Sequence, residues 1–406
     1  MNFRKILLFT FFGLFSASNA FAQFTFDKIK DTFAYEQPKP LTYYSNSRFN
    51  RVEALFLNFG LNFKPVKAQG LRLWGDVGYS FHNQDSERWK WNAGLQKDFF
   101  VPNRLSIGVR AFDEIYTQDS WIISEIENSV HAIFAHNDYR DYVARKGFGG
   151  FIDYKLMQIH NLRMEIASYD YDVLNVAPNT EWSLFARGSD YAPNPHGFPA
   201  IGFAGGRETS VKLMAAFDFR DNPIFPIIGW YFEGIFEKTF DDFETNGLFL
   251  TAKRYQPTFG NQKIKAKLHF GTRSGSWAAQ HLMGVGGIGS LRGYENKEFI
   301  GNRALFGTVQ YGFGGDILQK IPLHKIPFWE TLSLGLFYDF GYAWVGDPQN
   351  ADAGLFDFGE FGLSDLRQNL GFSVIFTEGL LRLDVAKRLD RSGDAWQVFF
   401  RILEKF

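Results

Sequence analysis

The chain has 406 residues, 18% of them aromatic, with a formal net charge of −1 and no cysteine. The balanced charge argues against a nucleic-acid partner, for which a basic excess would be expected, and the lack of cysteine excludes disulfides and a thiol-linked lipid anchor. The chain contains 47 phenylalanines, yet its mean hydropathy is only −0.20. Strands whose side chains alternate between lipid and water give such an average. A helical membrane protein would instead need runs of about 20 apolar residues.

The N-terminus has the pattern of an export signal. Arg4 and Lys5 precede a short apolar run, residues 6–15, and Ala20-Phe21-Ala22 forms a small-x-small cleavage site. The run is too short to cross a bilayer as a helix. We therefore predict a signal peptide over residues 1–22 that is cleaved after Ala22.

From residue 50 onward, segments of about 9 to 14 residues alternate between apolar and polar side chains, as membrane-spanning strands do. In one of them, Leu381, Leu383 and Val385 alternate with Arg382 and Asp384. The pattern predicts strands at residues 52–64, 70–82, 89–100, 104–114, 143–156, 160–172, 207–220, 226–239, 246–256, 262–272, 303–313, 331–342, 367–377, 380–388 and 395–403.

A barrel with both termini in the periplasm needs an even number of strands, so we expect one more within residues 28–48, where Leu41-Thr42-Tyr43-Tyr44 is the best β-like run. The predicted fold is all-β, a 16-stranded antiparallel transmembrane β-barrel. The predicted domains are the signal peptide, a segment 23–50 that forms a first strand, a plug or a tether, and the barrel over residues 51–406.

Long connections are expected on the outer side of the membrane and short ones on the periplasmic side. Tight turns at 101–103 and 220–226 then place the connections 116–142, 173–206, 273–302 and 343–366 outside. Connection 173–206 is expected to cap the barrel mouth, because its aromatic residues would be poorly placed in open water: Trp182, Phe185, Tyr191, Phe198 and Phe203.

Connection 116–142 contains a helical pattern. Ser120 is expected to cap a helix with Glu125 and Glu127 near its positive end. Its apolar residues share one face: Ile122, Ile126, Val130 and Ile133. We expect this helix to pack over the barrel mouth, and docking of a partner protein is the alternative.

The sequence contains no pattern typical of catalysis. There is no Gly-x-Ser-x-Gly motif and no convincing serine and histidine context. His131 and His136 do not share a helical face, and Asp241, Asp242 and Glu244 are expected to form a solvated turn rather than a calcium site. We therefore predict a protein that is not an enzyme, with no catalytic residue, no cofactor and no metal.

Two motifs near the C-terminus belong together. A glycine-rich loop that begins at Gly286 contains Leu291-Arg292-Gly293-Tyr294, and a later strand contains Phe337-Tyr338-Asp339-Phe340-Gly341. They resemble motifs of the outer-membrane barrel superfamily of BamA, TamA and FhaC, in which a loop with a Val/Leu-Arg-Gly-Phe/Tyr consensus folds inward and places its arginine on the inner wall.

The resemblance implies a structural latch made of Arg292, Gly293, Tyr294, Asp339 and Gly341. A guanidinium inside a barrel needs acidic partners, because an unpaired buried charge is costly. Asp339 is the expected partner, and Gly341 is expected to leave room for the inward-folded loop. Superfamily members commonly add a glutamate on the intervening strand, where this chain has Gln310. A latch of weaker charge than usual is therefore expected.

The C-terminus resembles the signal by which outer-membrane barrels are recognised during assembly. Phe406 follows an apolar alternation that includes Trp396 and Phe400. The resemblance thus implies an integral protein of the bacterial outer membrane.

The resemblance further implies a function in protein assembly or translocation at the outer membrane, with periplasmic or outer-membrane protein partners and membrane lipid around the barrel. It implies a weak seam between the first and last strands that can open laterally. Residues 23–50 are too short for a POTRA domain, the module that captures clients by β-augmentation, so client capture is expected to need a separate protein. The alternatives are a scaffold or binding subunit of an outer-membrane complex, and a diffusion pore.

Overall fold

The computed structural model of the chain describes residues 40–82, 87–101, 103–157, 159–177, 190–196, 202–223, 225–313, 332–346, 354–376, 381–391, 393–402 and 406. The predicted signal peptide lies outside the described residues, as do Trp182, Phe185 and Phe198 of the predicted cap. Residues 43–406 form one compact unit. The predicted division into signal peptide, N-terminal segment and barrel stays a prediction.

Nineteen strands occur in the described part of the chain. They are β1 Leu41–Tyr44, β2 Arg48–Asn50, β3 Ala54–Phe63, β4 Leu71–Ser80, β5 Trp89–Val101, β6 Asn103–Tyr116, β7 Val143–Leu156, β8 His160–Asp172, β9 Gly206–Asp218, β10 Gly229–Asp241, β11 Thr245–Pro257, β12 Lys263–Gly275, β13 Met283–Val285, β14 Phe299–Gly301, β15 Arg303–Phe313, β16 Leu332–Trp344, β17 Arg367–Phe376, β18 Leu381–Arg388 and β19 Gln397–Ile402. Helix α1, Glu125–Ala135, lies between β6 and β7.

The long strands have one apolar and one polar face, because successive side chains of a strand point to opposite sides. On β3, Leu57, Phe59, Leu61 and Phe63 are exposed, whereas Asn58 between them is buried. The same apolar face continues around the sheet through exposed side chains such as Val77, Leu95, Val109, Ile152, Ile166, Leu213, Phe232, Leu250, Leu268, Val309, Leu336, Phe372 and Val398. A continuous band of this kind is stable against lipid and not in water.

From β2 to β12 and from β15 to β19, strands that follow one another in the chain pair antiparallel, and β12 pairs with β15. The registers of β15 to β18 place several polar residues in rows across the polar face. Thr308 pairs with Asp339, and Asp339 pairs with Asn369. Two rows further along this face, Ser373 pairs with Asp384. The candidate site described below is built on these rows.

The prediction of an all-β fold is confirmed. The predicted count of sixteen strands is not confirmed, because β13 and β14 form a separate two-stranded sheet and the predicted first strand corresponds to two short strands, β1 and β2. The segment around Leu41 is indeed β-structured, but Ser45, Asn46 and Ser47 interrupt it. Oγ of Ser45 donates to the carbonyl oxygen of Asn58 at 2.7 Å, so side chains replace strand pairing there.

The predicted cap of the helix was wrong. Helix α1 begins at Glu125, and Ser124 is its N-cap: its backbone is extended, and its side chain accepts from the backbone N–H of Glu127. Ser120 lies instead in a 3-10 turn, Asp119–Trp121, and Ile122 precedes the helix. Only a residue with extended backbone at the helix start can offer its oxygen to the free N–H groups of the first turn.

The two histidines of this region contact aromatic rings. His131 meets the ring of Tyr139 edge-on, and His136 stacks on Tyr191 with 3.7 Å between ring centroids. The hydroxyl of Tyr191 donates to the carbonyl oxygen of Ala132. Connection 173–206 therefore packs on helix α1 where it is described. Among the described residues, no helix has the length and apolar character needed to cross a membrane.

Candidate functional site

The glycine-rich loop between β13 and β14 is held in one conformation by its own backbone. Gly286 and Gly287 have φ of +132° and +86°, which L side chains rarely adopt. The N–H of Gly286 donates to Oγ of Ser290 at 2.8 Å, and the N–H of Gly287 donates to the carbonyl oxygen of Leu291 at 3.0 Å. The side chain of Leu291 is fully buried. The loop therefore presents Arg292 in a fixed direction.

Arg292 contacts two carboxylates on the polar face. Its Nε and Nη2 donate to the two oxygens of Asp339 at 2.9 and 2.7 Å, a bidentate pair. Its Nη1 donates to Asp384 at 2.9 Å, and Nη2 also reaches Oγ1 of Thr308 at 3.2 Å. The side chain of Arg292 is 3% exposed and those of both aspartates 0%, so these charges are shielded from water. Buried charge pairs of this geometry are strong because little solvent competes.

A second arginine completes the cluster. Nε of Arg382 donates to Asp384 at 2.5 Å, and its Nη2 donates to Ser373 at 2.8 Å. Nη1 of Arg382 donates to Oε1 of Gln310 at 2.9 Å. Arg292, Arg382, Asp339 and Asp384 thus carry two positive and two negative charges within one network. Each aspartate accepts from at least one neutral side chain as well, Asn369 or Ser373.

The expectation that Gln310 weakens the charge around Arg292 was wrong. Gln310 pairs with Arg382, and the second carboxylate for Arg292 comes from Asp384 on β18. The alternation of β18 had already placed Asp384 on the polar face, but nothing in the sequence showed that this strand would face the loop. The register of β16 to β18 brings it there.

The ring of Phe337 lies against one face of the guanidinium of Arg292. The Cζ atom of Arg292 lies 3.4 Å from the centroid of this ring, a close cation–π contact. Phe337 is buried on the same face of β16 as Asp339, as the period of two predicted. The ring excludes water from one side of the guanidinium, which strengthens the ion pairs on its edge.

Tyr294 and Gly293 attach the loop to β17 and β18. The hydroxyl of Tyr294 donates to the carbonyl oxygen of Gln368 at 3.0 Å and accepts from its backbone N–H at 3.1 Å. The guanidinium of Arg388 lies 4.2 Å above the tyrosine ring. A Cβ at Gly293 would lie 2.6 Å from Cβ of Asn369 and 2.7 Å from the backbone nitrogen of Arg388. This glycine is therefore required for the close approach of the loop.

Gly341 does not have the role that was expected. The nearest atoms to a Cβ at this position belong to the neighbouring strand β15, the carbonyl oxygen of Leu305 at 2.7 Å and Cα of Phe306 at 3.1 Å. The missing side chain thus gives room for strand packing rather than for the loop.

The far end of the loop is fixed by a second buried cluster. Nζ of Lys297 donates to Asp119 at 2.7 Å and also to Asp141, both in connection 116–142. Burial alone would lower the pKa of Lys297, but the two carboxylates outweigh burial and raise the pKa above its usual value. Lys297 therefore stays charged, and the loop is tied to connection 116–142.

The three residues of the predicted assembly signal do not lie together. Trp396 and Phe400 are exposed on the apolar face. Phe406 does not continue the alternation of β19: its carbonyl oxygen accepts from Nζ of Lys253 at 2.6 Å, and its ring meets that of Tyr255 edge-on. Both partners belong to β11. The role of the three residues as an assembly signal stays a prediction.

The cluster around Arg292 is a network of paired opposite charges. Every charged group in it is engaged with an opposite charge, and it contains no thiol. Within the described ranges, no group of three or more histidine, aspartate or glutamate side chains is placed to bind a metal ion. Asp242 of the predicted solvated turn accepts from the backbone N–H of Arg207.

An antiparallel sheet with an apolar band on one face, and a loop held to its polar face by a buried arginine, is the pattern of an integral membrane β-barrel protein. The chain belongs to the Omp85 superfamily, whose domain matches residues 69–401. The predicted superfamily is thereby confirmed, and with it the general class of outer-membrane assembly and transport proteins. No curated protein matches the sequence.

Solved structures share this architecture at low sequence identity. BamA from Haemophilus ducreyi lacking POTRA domains 1–3 aligns with a TM-score of 0.57 and 13% identity, over 90% of this chain and 71% of that chain. CdiB from Acinetobacter baumannii aligns with a TM-score of 0.44 and 10% identity, over 90% of this chain and 60% of that chain. CdiB from Escherichia coli gives 0.41 and 10%, over 91% and 63%. The likeness to BamA shows a barrel fold of the BamA type.

Proposed function

We propose that this protein works in the assembly or translocation of proteins at the outer membrane, as a 16-stranded barrel with the Arg292 loop folded into its interior. Strands β2 to β12 and β15 to β19 form the proposed wall. The observation that carries the proposal is the joining of Arg292 to Asp339 and Asp384, which fixes a loop from one rim across four wall strands. A loop fixed in this way would keep strands β15 to β18 together while strands elsewhere in the wall separate.

The proposed opening is the seam, defined here as the neighbouring strands β2 and β19. They are adjacent in the strand order and are the first and last strands of the proposed wall. β2 has 3 residues and β19 has 6 in the described part of the chain, whereas β11 and β12 have 13 each. Ladder hydrogen bonds scale with the length of the shorter strand, so β2 has few of them with either neighbour, and of its two junctions only the one with β19 joins the ends of the proposed wall.

A diffusion pore is the less favoured alternative. The Arg292 loop lies against the polar face, and so does the start of connection 116–142, where Trp121 stacks on His269 of β12 with 4.5 Å between ring centroids. Both segments obstruct an aqueous path. A planar-bilayer conductance of porin size would overturn the proposed function.

Depletion of the protein in its native cell tests the proposal. We expect the folded levels of other outer-membrane barrels, or of exported surface proteins, to fall, while lipoproteins and periplasmic proteins stay unchanged. Co-purification in a mild detergent should recover a protein partner that supplies client binding. If the protein elutes alone and no other outer-membrane or surface protein changes, the proposal is wrong. Loss of one complex only would favour the scaffold alternative.

Export and processing are proposed as the sequence predicted them. Sequencing the N-terminus of the protein from isolated outer membranes should give Gln23, the residue after the predicted cleavage site. A mature N-terminus elsewhere would correct the cleavage site without affecting the proposed function.

A further inference from the structure

Helix α1 lies at the seam, although it belongs to the connection between β6 and β7. On the side of β19, the carboxylate of Glu127 accepts from Nε of Arg401 at 2.7 Å and from its Nη2 at 3.1 Å. It also accepts from the backbone N–H of Ile402 at 3.1 Å. Glu127 is 0% exposed and Arg401 only 4%, so this pair is far stronger than a surface ion pair.

On the side of β2, the same helix binds the strand backbone. The N–H of Phe49 donates to Oγ of Ser129 at 3.1 Å. Ser129 follows Glu127 by two positions, so opposite sides of one helical turn reach the two strands of the seam. Glu125 in the first turn also approaches Arg48, but at 3.5 Å and with a side chain that is 43% exposed. This exposed ion pair contributes little to holding the helix on β2.

The segments on both sides of the helix are anchored to the Arg292 loop. Ile122, Ile123 and Tyr139 pack with Ile288 of that loop in a buried apolar cluster. Nη1 of Arg401 donates to the carbonyl oxygen of Ile288 at 2.9 Å. The ion pairs of Lys297 tie the same two segments together at another point. Movement of the helix away from the seam therefore has to act against the loop as well.

We infer that helix α1 is a clasp on the seam: Glu127 and Ser129 hold β19 and β2 together, and the seam separates only after the buried pair between Glu127 and Arg401 has been broken. The inference rests on the proposed function in that the opening of this seam is what the clasp would control. A short strand pair needs such support because it has few hydrogen bonds of its own. The clasp would thus set how often the barrel opens.

Hydrogen exchange of the full chain in lipid nanodiscs tests the clasp without any client. In Glu127→Gln, the ion pair with Arg401 is lost: the amide keeps one acceptor oxygen, its NH2 group faces a guanidinium donor, and Arg401 stays charged but loses this carboxylate. We expect the amides of β2 and β19 to exchange about 10-fold faster than in the unaltered protein, under conditions in which exchange reports the opening equilibrium. The amides of β11 and β12, at least five strands from the seam in the strand order, should be unchanged.

Glu125→Gln is the matched control, because it removes a carboxylate from the same helix turn and the same helix dipole but not from the buried pair. Its seam amides should exchange within about 2-fold of the unaltered rate. If Glu127→Gln does not fold, Arg401→Lys is the second variant, because it keeps the charge but loses the bidentate geometry. It should also raise the exchange rate of the amides of β2 and β19 but not of those of β11 and β12.

The clasp is refuted by unchanged seam exchange in the folded variants, by equal acceleration in β11 and β12, or by an equal effect of Glu125→Gln. None of these results depends on clients. The clasp can therefore fail while depletion still lowers other barrels, and the proposed function can fail while exchange still identifies the clasp.

Discussion

Replacing Arg292 by alanine should strongly destabilise the barrel. The change leaves Asp339 and Asp384 buried with one fewer cation between them. Asp384 keeps Arg382 and Ser373, so the largest loss falls on Asp339, which keeps the amide of Asn369. Removing one partner of a buried ion pair costs about 3–5 kcal/mol. That cost is roughly a 150- to 5,000-fold lower ratio of folded to unfolded protein.

The assay is urea unfolding of the refolded protein in detergent micelles, followed by tryptophan fluorescence and by the heat-modified mobility of the barrel on gels. Arg391→Ala is the control, since Arg391 is an exposed arginine in the connection between β18 and β19. It should change the free energy of unfolding by less than about 0.5 kcal/mol. In an Asp339→Asn background, Arg292→Ala should cost about 2 kcal/mol less than alone, because no uncompensated charge remains at Asp339.

A free energy of unfolding within about 1 kcal/mol of the unaltered protein for Arg292→Ala would refute this reasoning. So would additive effects of the two substitutions, because charges in contact have to be coupled. Either result would make Arg292 an ordinary loop arginine.

Three further substitutions test separate contacts of the loop in the same unfolding assay. Gln310→Glu should not stabilise the protein, because Asp384 already supplies the second carboxylate to Arg292 and the new carboxylate would be a third buried negative charge shared by two arginines; a gain of more than about 1 kcal/mol would restore the expectation of a weak latch. Tyr294→Phe should cost about 1–2 kcal/mol, since it removes the hydroxyl that accepts from the backbone N–H of Gln368, while the carbonyl oxygen of Gln368 keeps the N–H of Leu389. Gly293→Ala should cost about 1–3 kcal/mol from the clash with β17 and β18, and full stability would show that the loop is loosely held.

Local patterns in the sequence identified the wall and one ion pair. Alternation along each strand is set by backbone geometry, so it located β3 to β12 and β15 to β19 to within a few residues. The pair of Arg292 with Asp339 was predicted from two motifs. Phe337 was placed on the correct face by the same period of two.

Contacts between distant segments could not be predicted in this way. Asp384 was visible as a polar-face residue of β18, but its contact with Arg292 depends on the register of three strands and on the path of the loop. Glu127 was read as a helix-terminus charge, and its pairing with Arg401 across 274 positions has no local signal. The same holds for Gly341, whose close neighbour is a strand and not the loop.

The sequence by itself determined the class of protein, because the alternation between apolar and polar side chains repeats in every long strand. An error in the prediction of one strand therefore does not change the predicted class. Only the tertiary structure decided which charges meet: the second carboxylate at Arg292, and the helix that joins β2 to β19. Buried ion pairs are stable only when both partners are brought together out of water, and that depends on the fold as a whole.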